Sequence, residues 1–468
     1  HTRNGDGGET GKRGERESET VTLSREIARG ARSLSFDQLP REAVVKVKVA
    51  LLDLLSCAYE SLDLPPSLQA IKIAGRGQGC GRVIGTSLRV ASAEAAFVNA
   101  VLSHGLVRED MHTGSVSHLG VVIFPTLLAL SQGKKASGRD FILSAICGYE
   151  TGAAIGRAVM DRETVRRFRP TGITGPLGAA IGGSILLGLG EDATVSALGL
   201  AANTTAGLNE WPASGADEMF FHVGFAARNA VTSVELAELG AYASETALDG
   251  AAGLFATLGK CDRVSAVKAF APNHPLEILS VYHKPAPACN YAQTACQVAR
   301  MLVTEDHVQA RQIEAVTVKA SAAALGYPGC NATGPFERIL QAKMSIQYCV
   351  AATLVRGAIE EANYRLLNDA EVLRLISVTT LKEGADFTSA YPGAQGTEII
   401  VRLRDGTTLR RRMGDLVPAA EPEIRARFRT ACANVLGAVA TEAIESAVDG
   451  LDQMEDVSVL STLLAKNE

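Results

Sequence analysis

Residues 104–120 read His104-Gly-Leu-Val-Arg-Glu-Asp-Met-His-Thr-Gly-Ser-Val-Ser-His-Leu-Gly120 and hold three of the chain's eight histidines, two adjacent carboxylates and an arginine. Alanine-rich apolar segments flank this stretch on both sides, so it interrupts what otherwise reads as core. An exposed loop seldom gathers three histidines, and a buried helix seldom tolerates adjacent carboxylates without partners. The stretch is either one wall of an active site or a loop capped by Asp110 with incidental histidines. The inventory favours the wall.

Working outward, a chain of 468 residues is too long for one ordinary core and calls for two domains. Aromatics make up 5% of the residues while glycine occurs 45 times, which favours closely packed helices over a β-sandwich. The net charge of −5, with no basic stripe interleaved with aromatics, argues against a nucleic-acid partner. Nine cysteines are scattered without CxxC pairs or zinc spacing, so they read as buried thiols of a reducing cytoplasm and no metal is expected. Residues 1–20 are charged and glycine-rich, which predicts disorder and no signal peptide. Apolar runs such as 176–189 are broken by glycines and are too short to cross a membrane.

Helical patterning dominates from Val21 to about residue 268, with Pro40 opening a central helix that carries Asp53 and a small strand pair within 77–90. From 269 to 415 the texture changes. Ile313–Lys319 alternates, Leu375–Leu381 and Thr397–Leu403 are strand-like, and Asp405-Gly406 signals a hairpin to Thr407–Arg412. Helices are expected at 288–304 and 341–359, and residues 416–468 return to helical pattern, packing back on the first domain. The fold class is therefore mainly α, a large all-helical domain plus a smaller α+β lid domain.

Three further polar inserts break the helical background: Arg166–Thr171, Asp217–Gly224 and Tyr282–Asn290. Together with 104–120 they supply His, Asp, Lys, Arg and Cys, but no GxSxG elbow, GxGxxG or Walker A pattern. That set suits cofactor-free proton chemistry on a small carboxylated molecule, with cations holding carboxylates while a base removes an acidic proton. Lys284, beside Pro285 and Pro287, sits on a rigid extended backbone, which turns His283 toward solvent if the lysine points inward. His222 beside Gly224 either joins the site or satisfies a buried helix end. His274 and His307 are given no role.

The inserts carry a resemblance. His104-Gly105 followed by Glu109-Asp110 and His118-Leu119-Gly120 resembles the H…DD…HPG pattern of the MmgE/PrpD family. So do Arg169-Pro170-Thr171-Gly172, His222-Val-Gly224 with Arg228-Asn229, Leu248-Asp249-Gly250, Lys284-Pro-Ala-Pro287-Ala-Cys289, and Lys343-Met-Ser345-Ile-Gln-Tyr348. That family includes 2-methylcitrate dehydratase, cis-aconitate decarboxylase and iminodisuccinate epimerase. The resemblance implies a helical domain, an α+β lid, a cleft between them and a homodimer. It also implies catalytic or substrate-binding roles for Asp110, His118 and Lys284. In a lyase built this way His112 or His104 would assist or protonate the leaving hydroxyl. Arg108, Arg169, Thr171, His222, Cys289 and Tyr348 would bind substrate.

Departures from the family pattern stand at the same positions. Arg169 replaces a histidine, Met219 a lysine, Cys289 a histidine, Arg108-Glu109 a Phe-Asp pair, and Leu119 a proline. Losing those proton carriers while gaining arginines, which cannot act as bases near neutral pH, points to a substrate with its own carboxylate arrangement. The expected activity is a lyase, dehydratase-like or a decarboxylase. The alternatives are an epimerase or isomerase, and a non-catalytic anion-binding relative.

Overall fold

The computed structural model describes residues 21–466, so the disorder expected for 1–20 lies outside the described residues. The chain enters α1 (Leu23–Ser33) through Thr22, whose hydroxyl accepts the Arg25 amide. Pro40 then occupies the N-cap of α2 (Arg41–Glu60), which is buried all round from Val49 to Tyr59. A helix apolar on every side belongs at the centre of a domain. Beyond α3 (Pro65–Ala74), two short strands, β1 (Gly81–Arg82) and β2 (Arg89–Val90), pair antiparallel. They lead into α4 (Ser92–His104), whose last residue opens the polar stretch.

Within that stretch β3 (Met111–His112) pairs antiparallel with β4 (Val281–Tyr282), so two inserts remote in sequence become neighbours. The helical layer continues through α5 (Gly120–Leu130), α6 (Gly138–Val159), α7 (Thr164–Arg167), α8 (Pro170–Leu186), α9 (Glu191–Ala202), α10 (Trp211–Ser214), α11 (Glu218–Glu238) and α12 (Leu254–Thr257). Helices α6 and α8 cross closely because glycines meet there: a Cβ at Gly178 would lie 2.5 Å from the Gly148 carbonyl. Helix α11 packs on α4 and α8 and carries His222; it begins at Glu218, a few residues before the helix expected from 222.

The second domain is built on a four-stranded sheet in the order β6 (Thr379–Glu383), β5 (Ile313–Ala320), β7 (Thr397–Leu403), β8 (Thr408–Met413). Strand β5 runs parallel to β6 and antiparallel to β7, and β7–β8 is the expected hairpin. Helices α13 (Gln293–Thr304), α14 (Ala322–Gly326), α15 (Ile339–Met344), α16 (Ile346–Arg356), α17 (Ala370–Ser377) and α18 (Ala385–Ala390) surround it. The strand expected over 375–381 begins only at Thr379. Val372, Leu375 and Ile376 share one helical face, and Asp369 caps α17 by accepting the amides of Glu371 and Val372. The helix expected over 341–359 is two helices, broken at Ser345, whose hydroxyl caps the second. Helices α19 (Glu421–Leu436), α20 (Ala438–Asp449) and α21 (Ser458–Leu463) end the described chain, with α19 against α2. The architecture is mainly helical with a smaller α+β part. No helix among the described residues is long and apolar enough to cross a membrane.

Candidate active site

Val107 and Val116 bracket the centre of the polar stretch, and both adopt left-handed φ values, 56° and 53°. A β-branched residue pays to stand there, about 1–3 kcal/mol each, and such strain gathers at functional sites. The Val107 carbonyl accepts the Lys284 ammonium. Lys343, also buried, donates to the carbonyls of Leu106 at 3.0 Å and Gly105 at 3.4 Å while pairing with Glu361 at 2.7 Å. Two lysines of the second domain thus hold the backbone just before the two carboxylates.

Glu109 is the hub. One of its oxygens meets Nδ1 of His104 at 2.5 Å and Nδ1 of His118 at 3.0 Å, and its other oxygen is buried without a partner. The His118 Nδ1 also faces the Asp110 carbonyl at 3.0 Å. A carboxylate and a carbonyl only accept, so both Nδ1 atoms carry the protons. His104 Nε2 then accepts from Arg169 Nη2 at 3.0 Å, which uses both nitrogens of His104. His118 Nε2 has no such partner and belongs to a residue lining the cavity. Burial pushes the His118 imidazole down to about 3, and burial likewise lowers His104, so both rings are neutral at pH 7. Burial alone would raise the Glu109 carboxyl. The two imidazole bonds overcome it and hold Glu109 well below the ordinary carboxylate range.

Arg169 is the N-cap residue of α8, immediately before Pro170. Its guanidinium lies 5.3 Å from the Trp211 ring, touches Met219 Sδ at 3.8 Å, and leaves its buried Nε without a partner. Burial lowers the Lys284 ammonium to about 8, with Glu109 opposing that shift. Cys289 Sγ lies 3.5 Å from Cys330 Sγ, and that thiol's hydrogen bond lowers Cys289 below its ordinary value. His118, Lys284, Arg169 and Cys289 are buried members of the wall of a cavity of about 680 Å³ lying between residues of the two domains.

A model of the MmgE/PrpD N-terminal domain matches residues 25–266, and one of the MmgE/PrpD C-terminal domain matches 286–453. The chain belongs to the MmgE/PrpD family. It is 27% identical to the cis-aconitate decarboxylase-like protein oryM of Aspergillus oryzae, over 95% of this chain and 97% of that one. To the cis-aconitate decarboxylase of Aspergillus terreus it is 26% identical, over 94% and 96%. To that of Homo sapiens it is 26% identical, over 81% and 80%.

In this MmgE/PrpD chain the remaining predicted residues stand around the cavity rather than on it. Asp110 points away, accepting from Tyr149 at 2.7 Å, with Gly120 so close that a Cβ there would lie 2.5 Å from Asp110 Oδ1. Burial raises its carboxyl to about 7. His112 is bound on both nitrogens, to Ser115 Oγ at 2.8 Å and Glu277 at 2.9 Å, and Glu277 also takes Arg157. Arg108 turns toward α2, meeting Glu60 at 2.9 Å and Ser56 at 3.2 Å. Thr171 Oγ1 accepts the His118 amide at 3.0 Å. His222 is half-buried beside Gly207, away from the cavity lining, and burial lowers it to about 4. The Tyr348 hydroxyl is spent on the carbonyls of Asn363 and Leu366 in the second domain's interior. His283, expected at the surface, is buried and paired with Asp53 at 2.9 Å, because β4 leads its side chain back toward α2.

Sequence reasoning took Glu109, with Arg108 and His112, as a specificity position rather than as the hub, and assigned no site role to Trp211 or Tyr327. Glu109 lay beside a residue that was chosen, Asp110. His104, Glu109 and His118 offer three donor atoms within 4.8 Å of one another, the density of a metal site. Their geometry is that of hydrogen bonds converging on one oxygen. A zinc ion about 2.0–2.1 Å from each nitrogen would have to spread them apart, and Arg169 and Lys284 already supply positive charge beside Glu109.

Proposed function

We propose that the chain is a lyase that acts on a small carboxylic acid by proton transfer among its own side chains. The observation that carries this reading is the neutral His118. Its Nδ1 is tied down by Glu109 and the Asp110 carbonyl, and its free Nε2 stands in a cavity that also holds Lys284 and Arg169. Arg169, with a buried Nε awaiting an acceptor, binds a carboxylate. His118 takes the proton from the carbon next to it, and the cations stabilise the enediolate that forms. In a dehydration the Lys284 ammonium protonates the departing hydroxyl. In a decarboxylation His118 takes no proton from carbon: the bond to the carboxylate breaks, its electron pair stays on carbon as carbon dioxide leaves, and that carbanion takes the Lys284 proton. Glu109 and His104 are positioning residues for His118 and Arg169, and Asp110, His112 and Arg108 support the loop.

The decarboxylase names of the relatives support loss of carbon dioxide over loss of water. Purified protein offered a panel of unsaturated and hydroxylated di- and tricarboxylates should release carbon dioxide or form a new ultraviolet-absorbing double bond. Folded protein inert toward the whole panel sinks the reading. An epimerase would instead wash solvent deuterium into recovered substrate without either product. The family also supports a homodimer, which light scattering at twice the 49.1 kDa chain mass would show.

A further inference from the structure

We infer that the acid taken by this site carries an apolar body of several carbons beyond its carboxylate head. The inference rests on the lyase reading for the fate of the head and on the cavity for the rest. The buried acid–base and cationic side chains of the wall are His118, Lys284, Arg169 and Cys289. Elsewhere the lining is dominated by side chains such as Met111, Met160, Val165, Trp211, Tyr291 and Met344. Asp161, a carboxylate in that lining, is held by Lys260.

Cations for a highly charged head are scarce. Met219 touches Arg169 where the family pattern leads one to expect a lysine, and Arg108 is spent on Glu60. The buried cations facing the cavity, Arg169 and Lys284, match one or two carboxylates. Arg162 and Arg166 also line it, but they are exposed to water.

The volume agrees. About 680 Å³ lies in the range of clefts that enclose drug-sized ligands. At about 30 Å³ per water-sized atom, a compact acid of a dozen heavy atoms fills roughly half of it. The other half would be water against methionine, valine and tryptophan, which an alkyl or aryl group displaces favourably. The cavity also reaches the end of α14, where a Cβ built on Gly326 meets nothing within 4 Å.

Calorimetry on the full chain with unreactive 2-alkylsuccinates of one to eight side-chain carbons tests this directly. Affinity should rise about three- to fourfold per added methylene until the cavity is full. In Gly326→Trp, checked for folding by circular dichroism, the gain should stop at shorter tails. A flat or falling series in the parent chain overturns the inference, as does an unchanged series in the variant. Turnover is followed separately on alkyl-substituted unsaturated acids. A rising affinity series without turnover upholds the apolar body and counts against the lyase reading alone. Turnover confined to unsubstituted acids overturns the apolar body and leaves the lyase reading standing.

Discussion

Glu109 and Asp110 are chemically similar neighbours with opposite surroundings. Glu109 lies in a bend and Asp110 just before β3, and one carboxylate meets the two imidazoles while the other meets Tyr149. Lys284 and His283 divide in the same way, toward the cavity and toward Asp53. Replacing His118 with Gln should lower kcat about 10²–10⁴-fold, the usual worth of a positioned base, with circular dichroism unchanged. Glu109→Gln should lower kcat and weaken carboxylate binding together, since it loosens both imidazoles. Wild-type kcat for Glu109→Gln would reject the hub. Asp110 titrates near 7 in the folded chain against an ordinary 3.8. Between those values the native state binds more protons than the unfolded one, so Asp110's contribution to stability falls as pH rises. Asp110→Asn keeps an acceptor for Tyr149 and should be stabilised relative to the parent at pH 8, by roughly 1–3 kcal/mol, but not at pH 4. Denaturant unfolding at the two pH values checks this.

At the scale of elements, helices with long apolar periodicity were legible from sequence, and so was the β7–β8 hairpin. Helix α17 was misread because its β-branched composition hid a helical face, and composition is a weaker guide to strands than packing. The α6–α8 crossing shows what glycine spacing meant. Gly178→Val should destabilise the chain by about 1–3 kcal/mol, because the obstructing atom is backbone and cannot swing aside. Helix α19 has a positioning part: Arg427 donates to the carbonyls of Lys284 at 3.0 Å and Pro285 at 2.8 Å. Arg427→Ala should reduce kcat more than it raises KM, and Arg427→Lys should restore part of it. Equal loss in thermal stability and activity for both variants would mark the contact as merely structural.

For the whole molecule, the cleft sets the pH response. His118 stays neutral above about 3 and Lys284 loses its proton near 8. If the Lys284 ammonium is the acid, kcat/KM should be flat through neutrality and fall above pH 8. Lys284→Arg, which cannot lose its charge in that range, should abolish the falling limb even if the rate is low. The stability contribution of Lys284 runs the other way. Between 8 and 10.5 the unfolded chain holds more protons, so that contribution grows with pH.

Read alone, the amino-acid sequence determined the helical character of the first domain, the change of texture before the sheet and the four inserts. It also pointed to His118, Lys284, Arg169 and Cys289. Periodicity, glycine spacing and residue chemistry are local properties, and local properties survive in a linear string. Tertiary structure decided that Glu109 rather than Asp110 joins the imidazoles, that His112 and Arg108 spend their polar atoms on Glu277 and Glu60, and that Tyr348 lies in another interior. The β3–β4 pairing and the packing of α2 set which side of each extended segment faces the cavity. A shift of one residue would exchange the roles, and that register depends on contacts between parts of the chain about 170 residues apart.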